Sequence, residues 1–306
     1  MILSVSRRTD IPDYYSDWFY NRIKEGFLYV RNPINPHQVS RIDLSPGVVD
    51  CIVFWTKNPS NMIERLEELK EYAYYFQFTL TGYGKDMEPG LLDKRKELIP
   101  VFRKLSEKIG AKRVIWRYDP ILLNNKYTLE YHIKAFGEIA ENLAGYTEKV
   151  VISFLDLYAK IRPGMAKLHV RDISEKEMLM LAGHMAAIAG NCGMKVESCA
   201  EAFDLKGAGI EHGSCIDKKL IEEIIGCKLA GGKDKNQREG CGCLESVETG
   251  LYNTCRNGCR YCYANFSGNA VRINAEAYDP ASPLLCGVIG PGDKVTERKV
   301  KSLKAL

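Results

Sequence analysis

The stretch VVDCIVFWTKN, residues 48–58, is the best indicator of the fold class, because polar residues directly follow a nearly continuous apolar run. Continuous apolar runs are typical of strands buried on both faces, as in parallel sheets. Five similar runs occur elsewhere, at Ile2–Val5, Tyr74–Leu80, Arg113–Trp116, Lys149–Leu155 and Met194–Glu197. Segments of helical period lie between or after them, near residues 13–25, 60–71, 91–109, 128–144, 174–190 and 217–226. This alternation predicts an α/β fold, a partial or complete (β/α) TIM-like barrel, with residues 29–42 as an inserted loop or hairpin.

Composition narrows the class of protein. The chain has 306 residues and 45% hydrophobic content, which excludes a disordered tail protein. Its 43 Lys+Arg and 39 Asp+Glu give a net charge of +4 that is spread along the chain, so charge does not indicate a nucleic-acid binder. Apolar runs fall short of the roughly 18 residues that a membrane span needs, and Arg7 and Arg8 interrupt the N-terminal segment. We therefore expect a cytoplasmic protein without a membrane partner.

Polar and charged side chains follow each predicted strand. Ile2–Val5 is followed by Ser6-Arg-Arg-Thr-Asp10, and later strands end at Lys57 and at Arg117-Tyr-Asp119. The carboxyl ends of parallel strands open on one face, so these groups should converge around a single mouth. Arg7, Arg8 and Asp10 are then candidates to face a substrate, although arginines at strand ends also commonly brace neighbouring acids.

The eleven cysteines are concentrated toward the end of the chain, since Cys51 alone lies within residues 1–191. The strongest local signal is NTCRNGCRYCYAN, residues 253–265, in which Cys255, Cys259 and Cys262 have the spacing C-x3-C-x2-C. Three thiolates on one short loop can hold three irons of a [4Fe–4S] cluster and leave the fourth iron open. Zinc is the main competitor, although it prefers four ligands and paired C-x2-C motifs.

This loop resembles the cysteine motif of the radical S-adenosylmethionine superfamily, and it is most similar to the group related to spore photoproduct lyase. The upstream segments that share this resemblance are Ile52–Asn58, Thr79–Pro89, the Arg95…Leu105…Gly110 helix and Trp116–Ile121. The resemblance covers most of residues 1–270, and the triad is its most specific part. The whole chain looks like an uncharacterised bacterial family related to that lyase.

The resemblance implies an enzyme that uses its cluster to cleave S-adenosylmethionine, giving a 5′-deoxyadenosyl radical that abstracts hydrogen from a substrate. It also implies a reductant such as flavodoxin or ferredoxin. The substrate is left open, and nucleic acid is suggested by the resemblance alone. Tyr118 and Tyr158 are candidates, on position alone, for returning the hydrogen atom.

The position of the motif departs from the superfamily, in which the cysteine loop normally follows the first strand. Here it follows all six strand–helix units, which suggests a circular permutation. Residues 246–252 would then form the spatially first strand, beside Ile2–Val5. The predicted divisions are barrel units in 1–200, a cysteine-rich segment in 201–245, the permuted strand and cluster loop in 246–270, and a tail in 271–306.

Candidate contacts for S-adenosylmethionine come from the strand ends. Lys57 is the first candidate for its carboxylate and Arg117 the alternative, while Thr79, Thr81 and Glu88 could meet its amine or ribose. Structural roles are equally open at this stage, since Lys57 could cap a helix, Arg117 could pair with an acid, and Glu88 could stand in a turn.

Four further cysteines could form a second metal site. Cys241-Gly-Cys243 can present two thiolates to one centre, and Cys199 and Cys215 could complete it. Four thiolates suit an auxiliary [4Fe–4S] cluster or a structural zinc, and of the two we favour the iron cluster.

Two other functions remain open at the level of sequence. One is a zinc-dependent barrel hydrolase or nuclease with Asp10 and Asp119 as bases. The other is an iron–sulfur electron carrier or sensor that does not cleave S-adenosylmethionine.

Overall fold

An eight-stranded parallel sheet forms the centre of the computed structural model, which describes residues 1–157, 160–201, 203–238 and 240–305. Its strands are β1 (Ile2–Val5), β4 (Cys51–Thr56), β5 (Tyr74–Thr79), β6 (Val114–Ile121), β7 (Lys149–Phe154), β8 (Lys195–Cys199), β9 (Glu211–Gly213) and β10 (Val247–Glu248). Their spatial order is β10-β1-β4-β5-β6-β7-β8-β9, and every neighbouring pair is parallel. All six predicted strands are present, with ends shifted by a few residues.

Helices follow most strands and cover the sheet. They are α1 (Ile11–Tyr14), α2 (Ser16–Glu25), α3 (Ser60–Ile63), α4 (Ile99–Ile109), α5 (Leu129–Leu143), α6 (Arg162–Lys167), α7 (Glu175–Asn191), α8 (Lys218–Ile225) and α9 (Gly268–Glu276). The predicted helix at 91–109 begins with a π-helical turn at Lys94–Leu98, and the one at 60–71 divides into α3 and the 3-10 turn Leu66–Leu69. The remaining predicted helices are close to their expected ranges.

The core lies between the sheet and these helices. Phe54 of β4 stacks on Phe76 of β5 with ring centroids 4.7 Å apart. Trp18 and Phe19 of α2 are fully buried against the same core. Burial of such large apolar surfaces is the main force that holds helix and sheet together.

The insertion between α2 and β4 is a hairpin, as predicted for residues 29–42. Its strands are β2 (Phe27–Arg31) and β3 (Gln38–Asp43), which pair antiparallel. The C-terminal strand β11 (Lys294–Glu297) adds to β3 in parallel and makes a separate three-stranded sheet. The sequence did not predict this third strand.

The edge strand β10 lies where the permutation hypothesis requires it. Leu3 pairs with Val247 and Ser4 with Glu248, so the strand that precedes the cysteine loop is a direct neighbour of β1. At the opposite edge, β9 is a three-residue strand that the sequence did not predict. In the described parts of the chain, β9 and β10 do not pair with each other, so the structure shows a parallel α/β sheet without barrel closure.

The predicted segment boundaries can be compared with the positions of the structural elements. The segment 201–245 contributes β9 to the main sheet, and the boundary at residue 270 falls inside α9. Among the described residues, none of the helices combines the length and the apolar character that a membrane crossing requires.

Candidate functional site

A cavity of about 420 Å³ opens at the carboxyl ends of the central strands. The polar ends of β1, β4 and β6 line it, as expected for groups that follow parallel strands. Its wall also carries both cysteine groups, the triad Cys255, Cys259 and Cys262 and the second group Cys199, Cys215, Cys241 and Cys243. Seven thiols therefore face one cavity.

The triad loop is fixed to the rest of the mouth through Asn257. The Tyr14 hydroxyl donates to Asn257 Oδ1 at 2.7 Å, and Asn257 Nδ2 donates to Asp10 Oδ2 at 3.1 Å. The Gly90 amide donates to the Asn257 carbonyl at 3.0 Å. The loop thus contacts the first helix, the β1 end and the segment after β5.

Two glycines allow the close approach of this loop. Gly258 has φ of +66°, a left-handed conformation that favours glycine between the first two cysteines. At Gly90, an added Cβ would lie 2.7 Å from the Asn257 carbonyl oxygen, so a side chain would push the triad loop away. The second of these requirements was not visible in the sequence.

A buried ionic network joins the triad to β4. The Lys57 ammonium donates to Glu88 Oε1 at 2.7 Å and to the Tyr261 hydroxyl at 3.0 Å. Glu88 also accepts from Thr81 Oγ1 at 2.9 Å, from Lys94 and from the Tyr261 hydroxyl. Three of the residues predicted to bind S-adenosylmethionine, Lys57, Thr81 and Glu88, are therefore in one hydrogen-bonded network.

The charges in this network stabilise one another. Burial alone would raise the pKa of Glu88, but Lys57 and Lys94 lower it to about 2. Burial likewise disfavours the ammonium of Lys57, yet the Glu88 carboxylate more than offsets this and raises the pKa of the lysine. Beside them, burial raises the pKa of Cys259 to about 12, and Lys57 opposes that rise. The network presents a permanent cation next to the triad.

Asp10 ties together three chain segments. Its carboxylate accepts from Thr56 Oγ1 at 2.7 Å, from the Lys57 amide at 2.8 Å and from Asn257. Burial raises the pKa of this carboxyl to about 6. Asp10 thus lines the cavity with both of its carboxylate oxygens engaged by donors of the protein.

The second cysteine group is assembled from three separate segments. The Sγ atoms of Cys199 and Cys215 are 2.8 Å apart, and the Cys215 and Cys241 thiols are each within hydrogen-bonding reach of Cys243. The Ile216 amide donates to Cys243 Sγ at 3.3 Å. The four cysteines that the sequence suggested as one group are thus neighbours in the structure.

Two arginines lie against the second group. Arg117 Nη1 donates to Cys215 Sγ at 2.7 Å, and its other terminal nitrogen pairs with Asp119. Arg7 is beside Cys243. The guanidinium carbons of Arg7 and Arg117 lie 5.0 and 5.3 Å from the ring centroid of Trp55, which holds both cations by cation–π contact.

Several predicted residues have local partners that narrow their roles. Arg117 pairs with Asp119, a structural role that the sequence left open to it, and also contacts the second cysteine group. Thr79 lines the cavity, as expected of a ligand contact. Tyr118 is buried, does not line the cavity and bonds His132 Nδ1 at 2.9 Å, while Tyr158 lies outside the described residues.

Sequence reasoning missed the residues that position the triad. Asn257 and Tyr261 lie between the cysteines themselves, so their place in the motif was the only available signal. Trp55 belongs to a predicted strand, and in the structure it lines the cavity and its indole donates to Ser4 Oγ at 3.1 Å. Among the described residues, no three His, Cys, Asp or Glu side chains are already arranged as the ligands of a single metal ion.

The fold and cavity define an α/β protein with a parallel sheet whose mouth is lined by two groups of cysteines. Residues 2–264 match the family model described as a domain of unknown function, DUF1848. The match covers most of the chain, and the chain belongs to this family. A search of the curated proteins returned no match.

Proposed function

We propose that the protein is a radical S-adenosylmethionine enzyme, in which Cys255, Cys259 and Cys262 ligate a [4Fe–4S] cluster. The observation that supports this most strongly is the placement of all three thiols on one loop at the cavity, beside the buried Lys57 and Glu88 pair. Three thiolates leave one iron without a protein ligand. When bound, the cluster would supply an electron for reductive cleavage of the sulfonium of S-adenosylmethionine, which yields the radical that abstracts hydrogen from the substrate.

The donor set of the loop fits such a cluster. The three cysteines lie within eight consecutive residues, and Gly258 lets the backbone turn between them. Asn257 and Gly90 hold that loop at the carboxyl ends of the strands. The chain's contribution is therefore to fix the thiolates and to close one side of the cavity around them.

Lys57 is the residue that we expect to bind the carboxylate of S-adenosylmethionine. An ammonium has three donors, and within the described residues Glu88 and Tyr261 use two of them. Lys57 itself lines the cavity, so its remaining donor and its positive charge can serve a bound carboxylate. Glu88 keeps the lysine charged and oriented, and Thr79 lies on the wall where ribose hydroxyls could bond.

Zinc hydrolysis is less well supported by the same site. It would need Asp10 or Asp119 as a base, but Asp10 is engaged by Thr56, Asn257 and the Lys57 amide, and Asp119 pairs with Arg117. An iron–sulfur carrier or sensor would use the triad without cleaving S-adenosylmethionine. The assay below separates both from the proposed enzyme.

The test is reductive cleavage of S-adenosylmethionine by anaerobically reconstituted protein with dithionite. We expect 5′-deoxyadenosine that depends on the reductant and is absent in Cys259→Ala. Cys227→Ala, a cysteine outside both groups, is the matched control and should keep the activity. Iron-loaded protein that releases no 5′-deoxyadenosine would favour the carrier or sensor, and zinc without iron would favour the hydrolase.

A further inference from the structure

The second cysteine group combines thiols that the chain brings together from distant positions. Cys199 ends β8, Cys215 follows β9, and Cys241 and Cys243 come from the loop before β10. Three of them, Cys215, Cys241 and Cys243, are almost fully buried, yet all four line the cavity. Cysteines that merely fill a core have no need to meet one another at a cavity wall.

Two arginines contact these thiols, and one of them, Arg117, is also paired with Asp119. Arg117 donates to Cys215 Sγ, and Arg7 lies beside Cys243. One terminal nitrogen of Arg7, Nη2, is buried and has no hydrogen-bond partner in the described parts of the chain. An unpaired buried guanidinium nitrogen is costly, and a group of negative charge at the thiols would relieve that cost.

From these contacts we infer that Cys199, Cys215, Cys241 and Cys243 ligate a second metal centre, an iron–sulfur cluster held entirely by protein thiolates. Four thiolates bring negative charge that Arg7 and Arg117 are placed to offset. Hydrogen bonds to ligand sulfurs are also a recognised means of setting a cluster's reduction potential. This inference goes beyond the proposed function and does not depend on it.

The cavity beside these thiols leaves room for a cluster, which is larger than a single zinc ion. Structural zinc sites are closed around a single ion by their four ligands. Here the four thiols form part of the wall of a cavity of about 420 Å³, so a bulkier group can be bound from the cavity side. Because all four ligands of this cluster are thiolates, none of its irons is open to S-adenosylmethionine, in contrast to the triad.

The experiment compares variants of the full chain after anaerobic reconstitution with iron and sulfide. A triad-less variant, Cys255→Ala/Cys259→Ala/Cys262→Ala, should retain about four irons and four acid-labile sulfides per chain, the content of one [4Fe–4S] cluster. Adding Cys215→Ala/Cys243→Ala should remove them. Adding Cys227→Ala instead should leave them in place and serves as the matched control.

A second variant controls for loss of iron that is caused by misfolding. Cys199→Ala, at the half-buried end of β8, should also remove the retained iron, with the unfolding transition of the metal-free protein used to confirm the fold. Absence of iron from the triad-less variant, its persistence after Cys215→Ala/Cys243→Ala, or zinc in its place would each overturn the inference. If instead the triad binds no cluster, the triad-less variant will hold as much iron as the wild-type protein. That result is distinct from those that overturn this inference.

Discussion

The two cysteine groups reach the same cavity by different routes. The triad lies on eight consecutive residues, whereas the second group draws on the ends of β8 and β9 and on the loop before β10. A local loop can carry its ligand pattern wherever the chain places it, so the triad could move from one end of the sequence to the other. A group assembled from several strands depends on the sheet order.

The two cysteine groups also differ in the charged side chains that lie beside them. The triad is accompanied by Lys57, which Glu88 and Tyr261 already bind. The second group is accompanied by Arg7 and Arg117, of which Arg117 contacts a cysteine sulfur directly. In the two proposals, the first group leaves an iron open to the carboxylate of S-adenosylmethionine, and the second holds a cluster with no open iron.

Single cysteine substitutions should have the largest effects and should distinguish the roles of the two cysteine groups. Cys259→Ala should abolish reductive cleavage of S-adenosylmethionine and leave the iron of the second group. Cys215→Ala should reduce iron content while S-adenosylmethionine still perturbs the signal of the remaining reduced cluster. Iron analysis and electron paramagnetic resonance of both variants test this, and identical losses in the two would contradict the separation.

Glu88→Gln, a substitution beside the triad, should lower the free energy of unfolding of the protein. The pKa of Glu88 is about 2 in the folded protein against an ordinary value of 4.5, so its charge stabilises the fold above pH 4.5. That contribution, about 3 kcal/mol from a shift of this size, is lost as pH falls through the folded pKa toward 2. Urea unfolding should therefore show a large deficit at neutral pH that shrinks in acid.

The exposed Glu107 on α4 provides the control for this measurement. Glu107→Gln should leave the free energy of unfolding nearly unchanged across the same pH range. A deficit in Glu88→Gln that stayed constant down to pH 2 would show that the carboxylate's charge is not its source.

Gly90→Ala should affect the triad more than Gly242→Ala affects the second group. The added Cβ at Gly90 meets the backbone oxygens of Asn257 and Arg256 at 2.7 and 2.9 Å, whereas at Gly242 it meets the Ser214 hydroxyl, which can rotate away. We expect Gly90→Ala to cost about 1–3 kcal/mol and to lower triad iron. Gly47→Ala, with open space around it, is the control, and equal stability of all three variants would contradict the expectation.

Tyr261→Phe should have the smallest effect. It removes the hydroxyl shared by Lys57 and Glu88, a loss of about 1–2 kcal/mol for a buried hydrogen bond. Tyr72→Phe removes a comparable buried bond, to the Leu44 carbonyl, far along the chain from the triad. Both should lower stability, but Tyr261→Phe alone should weaken binding of S-adenosylmethionine, as measured by titration.

The sequence predicted the main sheet well because its strands are long apolar runs. The six predicted strands and the hairpin at 29–42 are present, and β10 lies beside β1 as the permutation hypothesis requires. The three-residue β9 and the addition of β11 to the hairpin carry no hydrophobic pattern of their own, since they form by pairing with a strand already in place. Hydrophobic periodicity also could not predict whether a barrel closes, because closure depends on pairing between the two edge strands of the sheet.

At the site, the sequence identified most of the charged residues but fewer of their partners. Lys57, Thr81 and Glu88 follow neighbouring strands and lie in one hydrogen-bonded network, while their binding of S-adenosylmethionine stays a prediction. The contacts of Asn257 with Asp10, and of Gly90 with the triad loop, join segments more than 150 residues apart. No local pattern encodes such contacts, because they follow from the sheet order.

The most direct test of the central claim is electron paramagnetic resonance of the reduced chain carrying Cys215→Ala/Cys243→Ala, with and without S-adenosylmethionine. The triad cluster should give a signal whose g-values shift when S-adenosylmethionine binds its open iron. An iron–sulfur signal that is unchanged by S-adenosylmethionine, or no such signal at all in the folded variant, would contradict the account.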